Sequence, residues 1–394
     1  MKEAEKETGE FLVFTLVSAL ISFGYNVVMT VIPLRMADRG LGYGEIGGVM
    51  SAVAVGLMVI KLAVGHLSDL FGTKRFILTS LLGLSAVCAL LAQADSLAAF
   101  AVLMAALGIF RGIFLSVNGS SMLELSGNGR YGKVLGVVQG VSSLLASVGG
   151  MMAGLLYSLR EGEYALLLCS LMLLASALWA ALGLKRVGKM ERERMKLWKV
   201  FGSMNRRLVL FCLIVFIQSF AAGPMWNFII PMYCYQVLLF SPALLGILMS
   251  LDELVSAPAY MLAGAVVDRV NVFRFNVVFL LLTAAGGILL TRTGSTAAFM
   301  LVFLFCSVCT ACTFVGIPKE RIDYIRRERK GLELALLSVC GSLGDSLGSN
   351  VMGQAAERFS IDQCMLIFAS AYVLMAALAA LPALLFGKKC SHTR

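Results

Sequence analysis

The sequence is poor in charge and nearly empty of histidine. Charged residues fill only 14% of its 394 positions, and the two histidines are His66 and His392. A soluble domain usually carries about 25% charged and about 45–50% apolar residues. Here 59% of residues are hydrophobic and the mean hydropathy is +0.88. A water-soluble globule cannot bury that much apolar surface, and a disordered chain would not contain it. A soluble enzyme is therefore excluded. Two separated histidines exclude a haem or zinc site of ordinary composition. No phosphate-cradling Walker loop occurs, which excludes ATP hydrolysis as the intrinsic power source. No disulfide framework is visible either. Ten cysteines are present, but Cys88, Cys169, Cys212, Cys306 and Cys340 lie in apolar runs, where the thiol behaves as a small hydrophobe. Cys306, Cys309 and Cys312 recur at every third position without a histidine or carboxylate beside them, so no metal is expected. No removable signal peptide and no lipidation motif are expected.

What the chain does have is long apolar runs. A bilayer core of about 30 Å needs about 20 apolar residues in a helix. Twelve runs qualify: Phe11–Leu34, Glu45–Leu67, Phe76–Gln93, Leu97–Val117, Val134–Ser158, Tyr164–Leu184, Leu208–Tyr233, Pro242–Val267, Phe275–Leu290, Ala297–Ile317, Leu332–Ala355 and Gln363–Phe386. The expected fold is an all-α membrane protein of twelve transmembrane helices. Lysine and arginine set its orientation. With both termini on one side, that side holds 26 of the 33 basic residues and the other holds 5. This places both termini in the cytoplasm and the protein in the inner membrane. The net charge of +10 is thus a record of topology, and no nucleic-acid partner is expected.

The two halves repeat at a spacing of 199 residues. Gly47, Met50 and Ser51 recur as Gly246, Met249 and Ser250, and Gly149 and Gly154 as Gly348 and Gly353. The predicted organisation is a six-helix half over residues 1–184, a basic cytoplasmic linker over 185–207, and a second six-helix half over 208–394. Parallel repeats of this kind place a solute site near the midplane between the halves and let the halves rock for alternating access.

The segment Gly65, Leu67, Asp69, Gly72, Lys74 and Arg75 resembles the loop signature of the major facilitator superfamily at each defining position. With the twelve spans and the repeat, the resemblance covers the whole chain. It implies a transporter, not an enzyme, with no cofactor. It also implies that Gly65, Asp69, Gly72, Lys74 and Arg75 form a latch that steadies one conformational state. The second copy keeps Gly264 and Asp268 but has Asn271 where Gly72 stands, and resembles a weaker latch. Arg111 resembles the membrane-embedded arginine linked to proton transfer in coupled members. The Gly-Pro pair of many drug:proton antiporters is replaced by Leu145-Ala146.

Charge inside a membrane is costly, about 2.5–3.5 kcal/mol at a helix centre on insertion scales, and marks function by default. Five residues qualify: Lys61 and Arg111 in the first half, Asp252, Glu253 and Asp345 in the second. Buried carboxyl groups can exchange protons near neutral pH, so Asp345, Asp252 and Glu253 are proton-coupling candidates, and the family resemblance adds Arg111. Adjacent helical residues diverge by about 100°, so one of Asp252 and Glu253 is expected to face the cavity and the other a neighbouring helix. Lys61 has the reach to snorkel to the cytoplasmic surface, and with Arg111 could grip an anionic solute. Tyr25, Asn26, Gln139, Trp226 and Asn227 resemble the solute-contact positions of the family, and Thr30, Gln218 and Asn350 are weaker candidates. Pro224 and Pro231 are expected to bend the seventh span.

The function expected is secondary transport of a small organic solute by alternating access, coupled to protons, with export the commoner direction in such families. The expected partners are the solute, protons and the lipid bilayer, and the expected state is a monomer. Uptake of an anionic solute is the alternative within the class. A non-transporting receptor or assembly factor of the same fold is the alternative outside it.

Overall fold

The computed structural model describes the backbone of residues 2–71, 73–126, 131–184, 206–267, 269–322 and 330–385; side chains at 2–8, 10, 62–73, 119–136, 206–207, 321–332, 334–335 and 381–385 lie outside the description. Among the described residues there are twelve helical passes and no strand. They are α1 (Lys2–Asp38), α2 (Tyr43–Phe71), α3 (Thr73–Leu91), α4 (Leu97–Ser126), α5 (Tyr131–Tyr157) and α6 (Glu163–Gly183) in the first half. The second half begins with α7, an α-helix over Arg206–Pro224 that continues through π-helical turns at Met225–Ile229 and Tyr233–Val237. It ends with α8 (Pro242–Val267), α9 (Val272–Leu290), α10 (Thr296–Ile322), α11 (Lys330–Arg358) and α12 (Ile361–Leu385). Helix is the state such apolar runs must adopt, because a bilayer core offers no partner for an open backbone.

The repeat is legible in the helix starts. α2, α3, α4 and α5 begin 199 residues before α8, α9, α10 and α11. Local chemistry repeats with them. Ser96 caps α4 by accepting from the Ala99 amide at 3.2 Å, and Ser295 caps α10 by accepting from the Ala298 amide at 3.3 Å. Each caps an otherwise orphaned donor. Packing repeats too: α1 lies on α5 as α7 lies on α11, α2 on α4 as α8 on α10, and α3 on α6 as α9 on α12. Between the halves, α2 packs on α11 and α5 on α8, two crossings that the repeat interchanges.

Eleven of the twelve passes contain, among the described residues, an apolar window long enough to cross a bilayer; α11 is the exception. α11, expected from the run Leu332–Ala355, is the least apolar of the twelve; it packs against α2 and α7, where small and polar side chains replace lipid-facing ones. Gly344 and Gly348 of α11 lie against the backbone of Phe216 and Phe220 on α7, and small residues are what let helices approach this closely.

The two crossings close the face of the bundle opposite the termini, called the far face below. A methyl built on Gly47 would stand 2.9 Å from the Gly353 Cα, and one on Gly246 would stand 2.8 Å from the Gly154 Cα. Gly154 thus packs within the chain, against Pro242 and Gly246 of α8. Side-chain clasps reinforce this face. Asp38 accepts from Tyr157 at 2.6 Å in its own half and from Tyr235 at 2.8 Å in the other. Glu357 accepts from the Gly44 amide at 2.8 Å across the halves. Within the first half, Arg39 bridges Asp95 and Glu161, both at 2.7 Å.

The latch is described only in part. Gly65, Asp69 and Gly72 lie among the side chains or residues outside the description, as does Asp268. Lys74 donates to the carbonyl oxygens of Ala181 and Leu184, which ties the start of α3 to the end of α6. Arg75 is exposed. Gly264 faces open space, and Asn271 caps α9 through the Arg274 amide at 3.2 Å. Asn271 therefore has a local role that the glycine of the first copy could not fill.

Candidate functional site

A cavity of about 230 Å³ lies between the halves, lined by α1, α4 and α5 on one side and α7 and α8 on the other. α1, α5, α7 and α8 each contribute several residues, and α4 contributes Arg111 alone. Ser22, Tyr25, Asn26, Met29 and Thr30 follow helical spacing along α1, and Gln139, Ser142, Ser143 and Ala146 do so along α5. Residues three and four apart share a face of a helix. This polar periodicity inside apolar runs was the available signal for Ser22, Ser142 and Ser143, which the sequence reading passed over. Met249, the repeat partner of Met50, and Tyr260 of α8 also line the cavity.

The π-helical turns of α7 set the opposite wall. Pro231 has no amide hydrogen to give the preceding turn, and the helix re-registers on either side of it. Proline-linked irregularity was expected; its form is a pair of π turns. Such turns often accompany functional sites because they re-aim side chains. Trp226 and Asn227 lie in the first turn, and Tyr235 of the far-face clasp lies in the second. The Trp226 ring packs 6.0 Å from that of Phe303 and 5.3 Å from that of Phe368. Its Nε1 donates to the Asp252 carboxylate at 3.3 Å.

The charged side chains sort into two groups. Arg111 lies over the Tyr25 ring, with its Cζ 3.2 Å from the centroid, a cation–π stack. Both residues line the cavity, as do Asp252 and Glu253. The expectation that only one of those two acids would face it is corrected. The ~100° between adjacent side chains sends them to different walls of one cavity. Asp252 turns to Trp226 and the Ser307 hydroxyl, whereas Glu253 turns to Asn26 of the other half at 3.4 Å and to Ser143.

Lys61 and Asp345 lie outside the lining. Lys61 does not snorkel: its Nζ donates to the Ser338 hydroxyl of α11 at 2.6 Å, linking the two halves. Asp345 lies against Gly223 of α7, where a methyl group would overlap its carboxyl. Its Oδ1 is fully buried and has no hydrogen-bond partner. The charges that act on it are those of Arg111 and Lys61, both from the other half. Gln218 donates to Thr313 at 3.3 Å and Asn350 accepts from Gln354 on its own helix at 2.7 Å, so neither joins the cavity. Cys306 gives its thiol hydrogen to the Thr283 carbonyl oxygen, an interhelical contact.

Comparison with known proteins agrees with this architecture. A family model of the Major Facilitator Superfamily matches residues 14–349 and 227–389. No curated protein sequence matches the chain. Among solved structures, a bacterial homologue of the human lysosomal transporter Spinster, in an inward-facing and unoccupied conformation, is 13% identical with a TM-score of 0.83, covering 99% of each chain. The human organic anion transporter MFSD10 (TETRAN) is 18% identical with a TM-score of 0.72, covering 95% of this chain and 99% of its own. The nucleoside transporter NupG is 14% identical with a TM-score of 0.75, covering 94% and 99%. At these identities the likeness is one of fold, and the family match across the chain carries the assignment: this protein belongs to the major facilitator superfamily and is a membrane transporter of small solutes.

Proposed function

We propose that the protein is a proton-coupled exporter that binds its solute in the cavity between the halves, with Asp345 as the principal proton-exchanging group. The observation that supports this is the buried Asp345 carboxyl, whose Oδ1 lacks a hydrogen bond while the Arg111 and Lys61 charges come from the opposite half. A static interhelical link would be expected to satisfy its oxygens, because an unpaired buried polar atom costs about 1–3 kcal/mol. A group that changes protonation during a cycle has to give up a partner in one of its states. Rocking of the halves changes the distance from Asp345 to both cations, which links its proton affinity to conformation. Asp252 and Glu253 lie on the solute side of the same half and serve as its second pair of exchangeable carboxyls. In this reading both termini face the cytoplasm, the clasped far face is the outer one, and a single chain is the working unit.

The test uses protein reconstituted in liposomes, with solute flux followed under an imposed pH gradient. Wild type is expected to accumulate solute against its gradient when protons run the opposite way. Asp345→Asn is expected to lose that uphill movement while still exchanging labelled for unlabelled solute. Gradient-driven accumulation that survives in Asp345→Asn would overturn Asp345 as the coupling group. Accumulation driven by protons running the same way as the solute would reverse the direction to uptake.

A further inference from the structure

The cavity holds one cation and two carboxylates that are not paired with one another. Among the described residues, the ion pairs are those of Arg35, Arg39 and Arg160. Arg111 takes part in none of them. Its guanidinium is held instead by the face of Tyr25, 3.2 Å away. Stacking occupies the flat face of the guanidinium, which also hydrogen-bonds Tyr25; of its five N–H donors, those that remain in the plane match a carboxylate bidentately. Across the cavity, Asp252 and Glu253 are held by neutral donors, the Trp226 Nε1 at 3.3 Å and the Asn26 Nδ2 at 3.4 Å. Bonds of that length are at the weak end of the range, and a carboxylate offers about four lone-pair sites, so acceptor capacity remains.

We propose that the solute is a small zwitterion, carrying one carboxylate that Arg111 grips and one ammonium group that sits between Asp252 and Glu253. The proposal rests on the reading of this cavity as the solute site. Size agrees: a cavity of about 230 Å³ admits a compound on the scale of an amino acid. Charge decides the class. A solute with only a carboxylate satisfies Arg111 but leaves Asp252 and Glu253 without a counter-charge. A solute with only an ammonium leaves Arg111 without a counter-charge. A zwitterion pairs both walls at once, and a site with buried polar groups strongly rejects analogues that leave one unpaired.

The test is thermal unfolding and calorimetric titration of the purified full-length protein. The probes are the common L-amino acids, β-alanine and γ-aminobutyrate, each beside its deaminated acid and its decarboxylated amine. At least one zwitterion is expected to bind at millimolar concentration or below, and at least about tenfold tighter than either single-charge analogue. Arg111→Gln is expected to reduce its affinity to that of the amine, and Glu253→Gln to weaken it with the unfolding midpoint unchanged. If Arg111→Gln does not fold, Arg111→Lys keeps the charge, loses the fork, and is expected to weaken the zwitterion more than the amine. Single-charge analogues that bind as tightly as their parents, no zwitterion binding, or zwitterion affinity indifferent to these variants would overturn the proposal. Flux in liposomes separates this from the wider reading. Movement of a singly charged solute would overturn the zwitterion and keep the transporter. A zwitterion that binds but never crosses would overturn the cavity as a transport site.

Discussion

Trp226 packs its ring against Phe303 and Phe368 while its Nε1 donates to Asp252. Trp226→Phe separates the two contributions. Side-chain hydrogen bonds within a membrane average only about 0.6 kcal/mol, so the unfolding midpoint should shift little. Solute affinity should fall about tenfold, because Asp252 loses the donor that orients it, and 1.4 kcal/mol is tenfold in binding. Titration calorimetry reads the second effect and differential scanning calorimetry the first. A large loss of stability with unchanged affinity would make Trp226 a packing residue only. At this scale the sequence was informative where charge was concerned. Arg111, Asp252 and Glu253 stand out because ionised groups are rare in apolar helices. It was uninformative about Asp38, Tyr157 and Glu357, whose roles come from loops and helix ends that meet only in the folded molecule.

The four glycines that close the far face belong to the scale of helices. Adding a methyl at Gly47, Gly154, Gly246 or Gly353 meets the backbone of the opposite helix rather than a flexible side chain, so the helices must separate. Overpacking of this kind costs about 1–3 kcal/mol. Gly246→Ala and Gly47→Ala should each lower stability by that order and open the far face. Labelling of a cysteine introduced at Met249 by a membrane-impermeant thiol reagent added on that face would read the opening. Gly48→Ala, one position along α2 from Gly47, is the matched control, since nothing lies within 4 Å of the position a methyl would take; it should leave the face closed and stability no lower. Equal losses of stability at Gly246 and at the control would mean that the crossing is not responsible, since alanine by itself favours a helix over glycine by about 0.5–1 kcal/mol. The offset of 199 marked Gly47, Gly154, Gly246 and Gly353 as a set in the sequence. That Gly47 meets Gly353, and Gly246 meets Gly154, required the tertiary arrangement.

At the scale of the whole molecule, alternating access requires the halves to part on the far face at some stage of the cycle. The Gly44 amide and the Glu357 carboxylate lie 2.8 Å apart across that face. Replacing both by cysteine and bridging them with a short thiol cross-linker should stop flux while leaving solute binding within a small factor. Each single cysteine treated alike should transport. Flux that continues in the bridged protein would show that the halves do not separate at this point.

The sequence by itself determined the number of passes, the two-fold repeat and the family, because apolar length, the 199-residue offset and the Gly65–Arg75 signature are properties of order along the chain. It also named the charged residues that line the cavity, Arg111, Asp252 and Glu253, because a membrane tolerates few of them. Only the tertiary structure decided which of them meet. Arg111 stacks on Tyr25 instead of pairing with an acid, Asp252 and Glu253 share one cavity, Lys61 bonds Ser338, and Asp345 is left with a buried unpartnered oxygen. The physical reason is rotation. Periodicity places a side chain on a helix, but the face it presents to another helix is set by packing between passes, and here also by the π-helical turns around Pro231.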